Sequence, residues 1–102
     1  MSELILLDNA AQGVSGQPRI LSAHAGLLLV SADAWGDGSV TVEYLRKTPS
    51  GETWVPLAEG QFTANDEKEV ATYPGMILRA VTAGTTGPTA ATVIFGDQGP
   101  IR

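Results

Sequence analysis

Residues 40–57 have the pattern of a β-hairpin, and this hairpin restricts the fold more than any other part of the chain. Residues 40–45 alternate between side chains suited to a core and side chains suited to solvent, which is the period of a half-buried strand. The alternation stops at residues 49–51, Pro-Ser-Gly, which favour a tight turn. Residues 53–55, Thr-Trp-Val, then resume with side chains typical of strands.

The rest of the chain has the same pattern, in which short apolar runs are separated by glycine and proline. Turn signals recur roughly every 8–12 residues, the spacing of a β-sandwich or barrel. We therefore predict an all-β fold, a single antiparallel β-sandwich that is jelly-roll-like and has about seven to nine short strands. Besides the hairpin, the predicted strands cover residues 4–7, 19–22, 26–32, a short strand from Phe62, 70–73, 76–82 and 89–95.

Four details refine this prediction. Leu27 to Val30 run without a polar residue, which indicates a strand covered on both faces. Pro56 lies within a strand and favours an edge or a bulge. Glu59-Gly60 is read as a turn. Met76 to Val81 is apolar in both registers except at Arg79, so the inward face of that strand is not fixed by its pattern.

A chain of 102 residues has material for one hydrophobic core, so we expect one domain over residues 1–102. Within it, residues 1–19 are a candidate N-terminal arm and residues 96–102 a C-terminal tail. The alternative for the two ends is an ordinary edge strand and a fraying tail.

Charge and composition exclude several classes of function. The net charge is −5, and the six bases are scattered, whereas nucleic-acid binding needs clustered Lys and Arg. No apolar run is long enough to cross a bilayer, and the N-terminus does not have the pattern of a signal peptide. The chain has no cysteine. We therefore expect a soluble protein made in a reducing cytoplasm, without nucleic-acid or membrane partners.

Candidate chemistry is sparse. His24 is the single histidine. A metal site would need it together with carboxylates, and a catalytic triad would need it near a serine, but the run Gly13-Val-Ser-Gly16 is one residue short of the nucleophile-elbow spacing. The alternative is a half-exposed turn residue, and we expect no enzyme activity and no cofactor. Asp33 and Asp37 flank a glycine-containing loop and are the one candidate calcium pair. The alternative is a solvated turn in which the aspartates bind nearby amides.

Trp35 lies in the same loop, and three readings of it stay open. Its ring could contact a partner protein, stack on a sugar, or fold over the open end of the sandwich. Tyr73 is the second aromatic residue that could serve a sugar site.

Three segments resemble small β-sandwich proteins of tailed-bacteriophage virions, such as capsid decoration (cement) proteins and head fibres. They are residues 39–45 with the following strand 53–57, residues 73–81 and residues 84–93, and they span most of the region from Ser39 to Phe95. The resemblance implies a virion structural role and frequently a trimer, and it transfers no functional residues.

The sequence thus predicts a capsid decoration protein that binds the major capsid protein and itself. We expect it to be made in the host cytoplasm and to lie on the capsid exterior of the virion.

 The predicted contacts are Leu4, Ile5, Leu6, Leu7, Trp35 and Arg102. The alternative function is a carbohydrate- or receptor-binding fibre or tail module that uses exposed aromatic residues.

Overall fold

The computed structural model describes residues 3–21 and 25–97, and these residues form two antiparallel sheets of four strands each. The strands are β1 Glu3–Ala10, β2 Arg19–Ile20, β3 Ala25–Ser31, β4 Ser39–Thr48, β5 Gly51–Phe62, β6 Asp66–Ala71, β7 Ile77–Ala83 and β8 Ala91–Asp97. No helix occurs in the described part of the chain, and the all-β prediction is confirmed.

The strand order is that of a jelly roll. Sheet A has the order β1-β8-β3-β6, and sheet B has the order β2-β7-β4-β5. Each strand of the first half pairs with its mirror image in the second half, β1 with β8, β2 with β7, β3 with β6 and β4 with β5. This pairing results when one long hairpin is rolled up so that its strand pairs alternate between two sheets.

The core lies between the two sheets and is built from the inward side chains of the central strands. Phe95 and Leu28 come from sheet A, and Val40, Val42 and Leu78 come from sheet B; all five are fully buried. Branched and aromatic side chains at every second position fill the space between the layers, as the period-two pattern requires.

The hairpin is confirmed as β4 and β5, but its second strand is longer than predicted. Glu59-Gly60 does not turn the chain, and Phe62 belongs to the same strand as Gly51. The register between β4 and β5 shifts between Thr41 and Glu43, so the glycine allows a bulge instead of a turn. Pro56 lies in this edge strand, which is where proline is found within sheets.

Two other strands differ from their predictions. Leu28 and Val30 of β3 are buried, while Leu27 and Leu29 are only half-buried, so the strand is covered on one face and not on both. Strand β6 begins at Asp66 instead of residue 70. Its charged start is compatible with a strand because β6 is an edge of sheet A and needs only one apolar face.

The N-terminal residues from Glu3 to Ala10 form strand β1 and pair with β8. The described part of the arm predicted over residues 1–19, which begins at Glu3, is therefore an edge strand followed by a loop, as in the alternative reading. The predicted tail begins within β8, and residues 98–102 lie outside the described residues.

The connections between strands gather at two ends of the sandwich. Loops 11–18, 32–38, 63–65 and 84–90 lie at one end, which we call the latched end. The opposite end, which we call the terminal end, holds the connections at 49–50 and 72–76, together with the start of β1 and the end of β8.

Candidate interaction surfaces

Asp37 joins two loops of the latched end. Its Oδ1 accepts hydrogen bonds from the amides of Thr85 and Thr86, both at 2.8 Å, and from the Thr86 hydroxyl at 3.1 Å. Its Oδ2 accepts one from the Thr85 hydroxyl. The Asp37 amide in turn donates to Thr86 Oγ1 at 3.0 Å. The carboxylate therefore holds loop 84–90 against loop 32–38.

These bonds change both the acidity of Asp37 and its predicted role. The hydrogen bond from the Thr85 hydroxyl, followed by those from the two amides, holds the pKa of the carboxyl well below its ordinary value of 3.8. A calcium ion at this carboxylate would compete with these donors. The described geometry gives Asp37 the role of a side chain that binds amides, as in the alternative, and these amides belong to the facing loop 84–90. Asp33 is exposed, and its main-chain amide donates to the Thr89 carbonyl at 2.9 Å. Among residues 3–21 and 25–97, no three His, Cys, Asp or Glu side chains are grouped to hold a metal ion.

Trp35 is half-buried and packs against the core at the same end. Its indole Nε1 donates to Asn65 Oδ1 at 2.9 Å, and the Ala32 amide donates to the same oxygen at 3.0 Å. Asn65 therefore fixes the start of loop 32–38 and the ring within it. Of the three readings of Trp35, the structure shows the ring folded over the end of the sandwich.

Glycines let the two loops approach at backbone distance. A Cβ atom on Gly38 would lie 2.2 Å from the Gly87 carbonyl carbon and 2.2 Å from the Pro88 nitrogen. A Cβ on Gly87 would lie 2.3 Å from the Trp35 carbonyl oxygen. Because these neighbours are backbone atoms, no side-chain rotation relieves the overlap.

The predicted contacts near the N-terminus divide between the core and the surface. Leu6 and Leu7 are buried, with exposed fractions of 1% and 4%, so they cannot serve as contacts in this fold. Leu4 is half-buried and packs against the core. Ile5 is 46% exposed and is the member of this set that can reach a partner. The reason is the strand alternation, together with a bulge between Ile5 and Leu7 that places two consecutive leucines inward. Arg102 and His24 lie outside the described residues.

Ile5 belongs to an apolar row across the solvent side of sheet A. It lies opposite Ile94 of β8, and Ile94 lies opposite Leu29 of β3. Leu27 lies two positions from Leu29 on the same side. We call this solvent side of sheet A face A, with these four residues at its centre.

The margins of face A are acidic. Glu67 and Glu69 of the edge strand β6 lie beside Leu29 and Leu27, and Glu3 of β1 lies opposite Gly96 at the other edge. Lys68, the base of strand β6, occupies a position of opposite parity and places Nζ 5.8 Å from the centroid of the Phe62 ring.

A groove of about 560 Å³ runs from the centre of face A toward the latched end. Leu29 and Ile94 form its apolar wall, and Asn65, Glu67 and Thr92 contribute polar groups. Because Asn65 also accepts hydrogen bonds from Trp35 and Ala32, the groove lies next to the loop that these bonds hold.

The solvent side of sheet B, which we call face B, carries a second apolar row. Ile20 lies opposite Ile77, and Leu45 lies opposite Trp54. Leu45 and Ile77 line one groove of about 310 Å³ together with Tyr73, so the two pairs adjoin. Ile20 is 70% exposed.

Charges on face B occur mostly as pairs. Arg79 Nε donates to Glu43 Oε1 at 2.8 Å, and the guanidinium carbon lies 4.2 Å from the Trp54 ring centroid. This geometry combines an ion pair with a cation–π contact. Lys47 lies opposite Glu52 farther along the hairpin.

Sequence reasoning missed both faces and the Asp37 contacts, although the faces left a signal. The unbroken run Leu27 to Val30, and the segment Met76 to Val81 that is apolar in both registers, are strands with apolar side chains on both sides. No local pattern signals that Asp37 meets Thr85 and Thr86, which are 48 and 49 residues away.

No family model matches the sequence, and neither a curated protein nor a solved structure matches the chain. Within the described residues, no helix is present that is long and apolar enough to span a membrane. The fold itself defines the class, an all-β protein with a jelly-roll sandwich.

Proposed function

We propose that this chain is a virion structural protein, a capsid decoration protein of the tailed-bacteriophage type that binds the major capsid lattice as an oligomer. The sequence resemblance over residues 39–95 supports this proposal, and so does the jelly-roll fold, an architecture common in viral capsid domains. The proposal places the protein on the capsid exterior and includes no catalytic step, cofactor or metal.

The observation that carries the proposal is the apolar character of both solvent faces. In a two-layer sandwich, outward positions are usually polar, because they stay in water. Here Ile5 and Ile20 are 46% and 70% exposed, and each is part of a row of apolar side chains. Covering such apolar surfaces with another protein lowers the free energy, because the apolar side chains are removed from water.

Composition favours the same role. Charged residues make up 17% of the chain, below the roughly 25% of an average globular protein. Because desolvating charges opposes association, a surface with few charges is covered at lower cost. The bonded loops of the latched end also reduce the entropy lost on binding, since they are ordered beforehand.

A capsid lattice would strengthen binding further, because the same binding site recurs many times on its surface. When several copies of an oligomer each make a modest contact with a repeating surface, the second contact forms at a high effective concentration. Binding should therefore be strong to assembled capsids and weak to single coat subunits. A trimer is the assembly that the resemblance implies.

The test mixes the purified protein with expanded capsids of the phage that encodes it, and separately with dispersed coat protein, and separates bound from free chains on a density gradient. We expect co-sedimentation with capsids at a fixed ratio to the coat protein and none with dispersed subunits. A protein that stays at the top of the gradient in both mixtures would contradict the proposal.

A sugar-binding role is the second candidate, and Tyr73 is the observation that favours it. Tyr73 is 50% exposed and lines the groove that also contains Arg46, Lys47 and Glu52, a combination of aromatic and polar groups that suits a sugar. Trp35 does not favour this role, because its ring packs on the core and its N–H is bonded to Asn65.

Glycan-array binding tests this second role. Tyr73→Ala should abolish any specific signal, and Tyr73→Phe should keep most of it, because the stacking ring remains. If the unaltered protein binds no glycan, this candidate is excluded.

A further inference from the structure

We infer that face A is the surface that binds the coat subunit, and that it recognises a protein segment with an apolar centre and a lysine or arginine on either side. The identity of the partner rests on the proposed function. The chemistry of the segment follows from the residues of face A alone. The inference thus assigns one of the two apolar faces to the capsid.

The charge of face A is negative and unpaired. Glu67 and Glu69 of the edge strand β6 and Glu3 of the edge strand β1 are exposed on this side of the sheet. No described hydrogen bond or ion pair uses their carboxylates. The described strands of sheet A contain one base, and it occupies the inward side. A partner that covers face A should therefore supply the opposite charge, because uncompensated charges at an interface oppose association.

Face B does not have this asymmetry. Arg79 Nε is 2.8 Å from Glu43 Oε1, and Lys47 lies opposite Glu52. Each of these bases therefore has an acid beside it on the same face. Since the two pairs cancel, they give face B no preference for a charged partner.

Neither face of a second copy supplies the bases that face A lacks. A second face A would bring carboxylates against carboxylates. On sheet B, Arg19 lies opposite the buried Leu78, and Arg46 lies two positions after Tyr44, which packs against the core, so both bases have inward parity. Arg19 Nε also donates to the Ile5 carbonyl at 3.2 Å. The bases are therefore expected from a different protein.

The groove on face A gives one such base a place to bind. Leu29 and Ile94 form the apolar wall of this cavity of about 560 Å³, and Asp66 and Glu67 also line it. Asp66 Oδ1 accepts a hydrogen bond from the Glu67 amide at 2.8 Å, whereas the Glu67 carboxylate accepts none from the described residues. A lysine or arginine could lay its aliphatic stem along the apolar wall and place its cation beside Glu67.

Strand pairing arranges the groups of face A in a row that suits an extended segment. Ile5, Ile94 and Leu29 lie opposite one another on three adjacent strands, and Glu67 continues the row on the fourth. Because neighbouring strands are about 4.8 Å apart, the row is about 14 Å long. Side chains on one side of an extended segment recur about every 6.7 Å. Two apolar side chains can thus cover the apolar part of the row, with one base beside Glu67 and another toward Glu3.

Two matched pairs of substitutions test which face binds the capsid. Ile5→Thr removes an apolar side chain from face A, and Ile20→Thr does the same on face B. Glu67→Lys reverses a charge on face A, and Glu52→Lys does so on face B. All four residues are exposed and lie in edge strands. Circular dichroism with thermal melting checks that each variant is folded.

Co-sedimentation with expanded capsids is measured for these four variants. We expect Glu67→Lys to weaken binding by at least about tenfold, because it places a base against a base. Ile5→Thr should weaken binding by about fivefold, because less apolar surface is buried. Ile20→Thr and Glu52→Lys should bind as the unaltered protein does. If the face B variants lose as much binding as the face A variants, or more, the inference is wrong and the decoration role stands.

A peptide titration tests the chemistry of face A without capsids, and it decides that chemistry even if the unaltered protein binds no capsid and the decoration role fails. The probe is acetyl-Lys-Ser-Leu-Ser-Leu-Ser-Lys-amide, added to isotope-labelled protein and followed by amide NMR spectra. We expect saturable shifts of the amide signals of Leu29, Ile94 and Glu67. The signals of Ile20 and Leu45 on face B should not move.

The matched control is the same peptide with glutamate in place of each lysine, which should leave the spectrum unchanged. Glu67→Lys should weaken binding of the lysine peptide, and so should a rise in NaCl concentration, since salt screens the attraction. Equal shifts with both peptides, shifts confined to face B, or no shift at millimolar lysine peptide would each overturn the inference.

Discussion

The two ends of the sandwich are held in different ways. At the latched end, side chains bind segments that are distant in sequence; Thr82 Oγ1 of β7, for example, donates to the Ala11 carbonyl of loop 11–18 at 2.6 Å. At the terminal end, the turn after β4 closes on itself, because Thr48 Oγ1 donates to the Gly51 carbonyl at 2.9 Å, and loop 72–76 is held by main-chain bonds such as that from Gly75 N to Leu21 O at 2.7 Å.

This difference has a physical consequence. A side-chain hydrogen bond between segments distant in sequence exists only when the whole sandwich is formed. The bonds of the latched end therefore depend on the complete fold. A turn such as 48–51 satisfies its groups locally and depends less on the rest of the molecule. We therefore expect substitutions at the latched end to cost more stability than equivalent substitutions at the terminal end.

The largest effect is expected from glycine substitutions. Gly38→Ala should lower the free energy of unfolding by about 3 kcal/mol or more, because its Cβ would overlap the backbone of Gly87 and Pro88. At the terminal end, the Cβ atom of Gly75→Ala would meet no atom within 4 Å. The backbone φ of 89° at this position is the one source of strain, and it costs about 1–2 kcal/mol. Urea denaturation followed by circular dichroism measures both. Equal losses at the two positions would contradict the difference between the ends.

A smaller effect is expected at Asn65. Asn65→Ala removes the acceptor for the Trp35 indole and the Ala32 amide, which should cost about 1–3 kcal/mol. Asn65→Asp keeps an oxygen at the same place and should retain most of the stability. The same denaturation experiment compares them, and an aspartate variant as unstable as the alanine variant would show that these hydrogen bonds are not the cause.

The smallest effect is expected at Asp37, since this carboxylate is exposed and solvent screens its charge. Because folding lowers the pKa of Asp37, the charged carboxylate stabilises the fold above the unfolded pKa of about 4. That contribution is lost as the pH falls below this value toward the lowered folded pKa. Asp37→Asn should therefore melt at a lower temperature than the unaltered protein at pH 7, and the gap should close in acid.

Asp33→Asn is the matched control for this prediction. Asp33 lies in the same loop and is exposed, but no described hydrogen bond uses its carboxylate. Its melting temperature should follow that of the unaltered protein from pH 7 to pH 2. A gap for Asp37→Asn that stays constant over this range would exclude the pKa shift as its source.

The fold was largely predictable from the sequence because its signals are local. Alternation in residues 40–45 and the turn residues at 49–51 identify the central hairpin, and it forms at those positions. The predictions of secondary structure were wrong where a contact with a distant strand overrode the local preference of a residue. Gly60 looked like part of a turn, but the register shift between β4 and β5 makes it part of a bulged strand.

The candidate surfaces were much less predictable. Leu6 and Leu7 had the composition of a contact segment, but the bulge in β1 turns both into the core and leaves Ile5 outside. Trp35 looked available in its loop, but Asn65, thirty residues away, binds its indole. In each case the outcome depended on a partner from another part of the chain.

Period-two alternation, short apolar runs and regular turns were sufficient to establish a β-sandwich, since each of these properties acts within a few residues. The pairing of β1 with β8 and the contacts of Asp37 with Thr85 required the folded chain. So did the placement of acids on face A and most bases on sheet B. These features arise from contacts between segments far apart in sequence, and a local pattern carries no information about which distant segment will lie beside it.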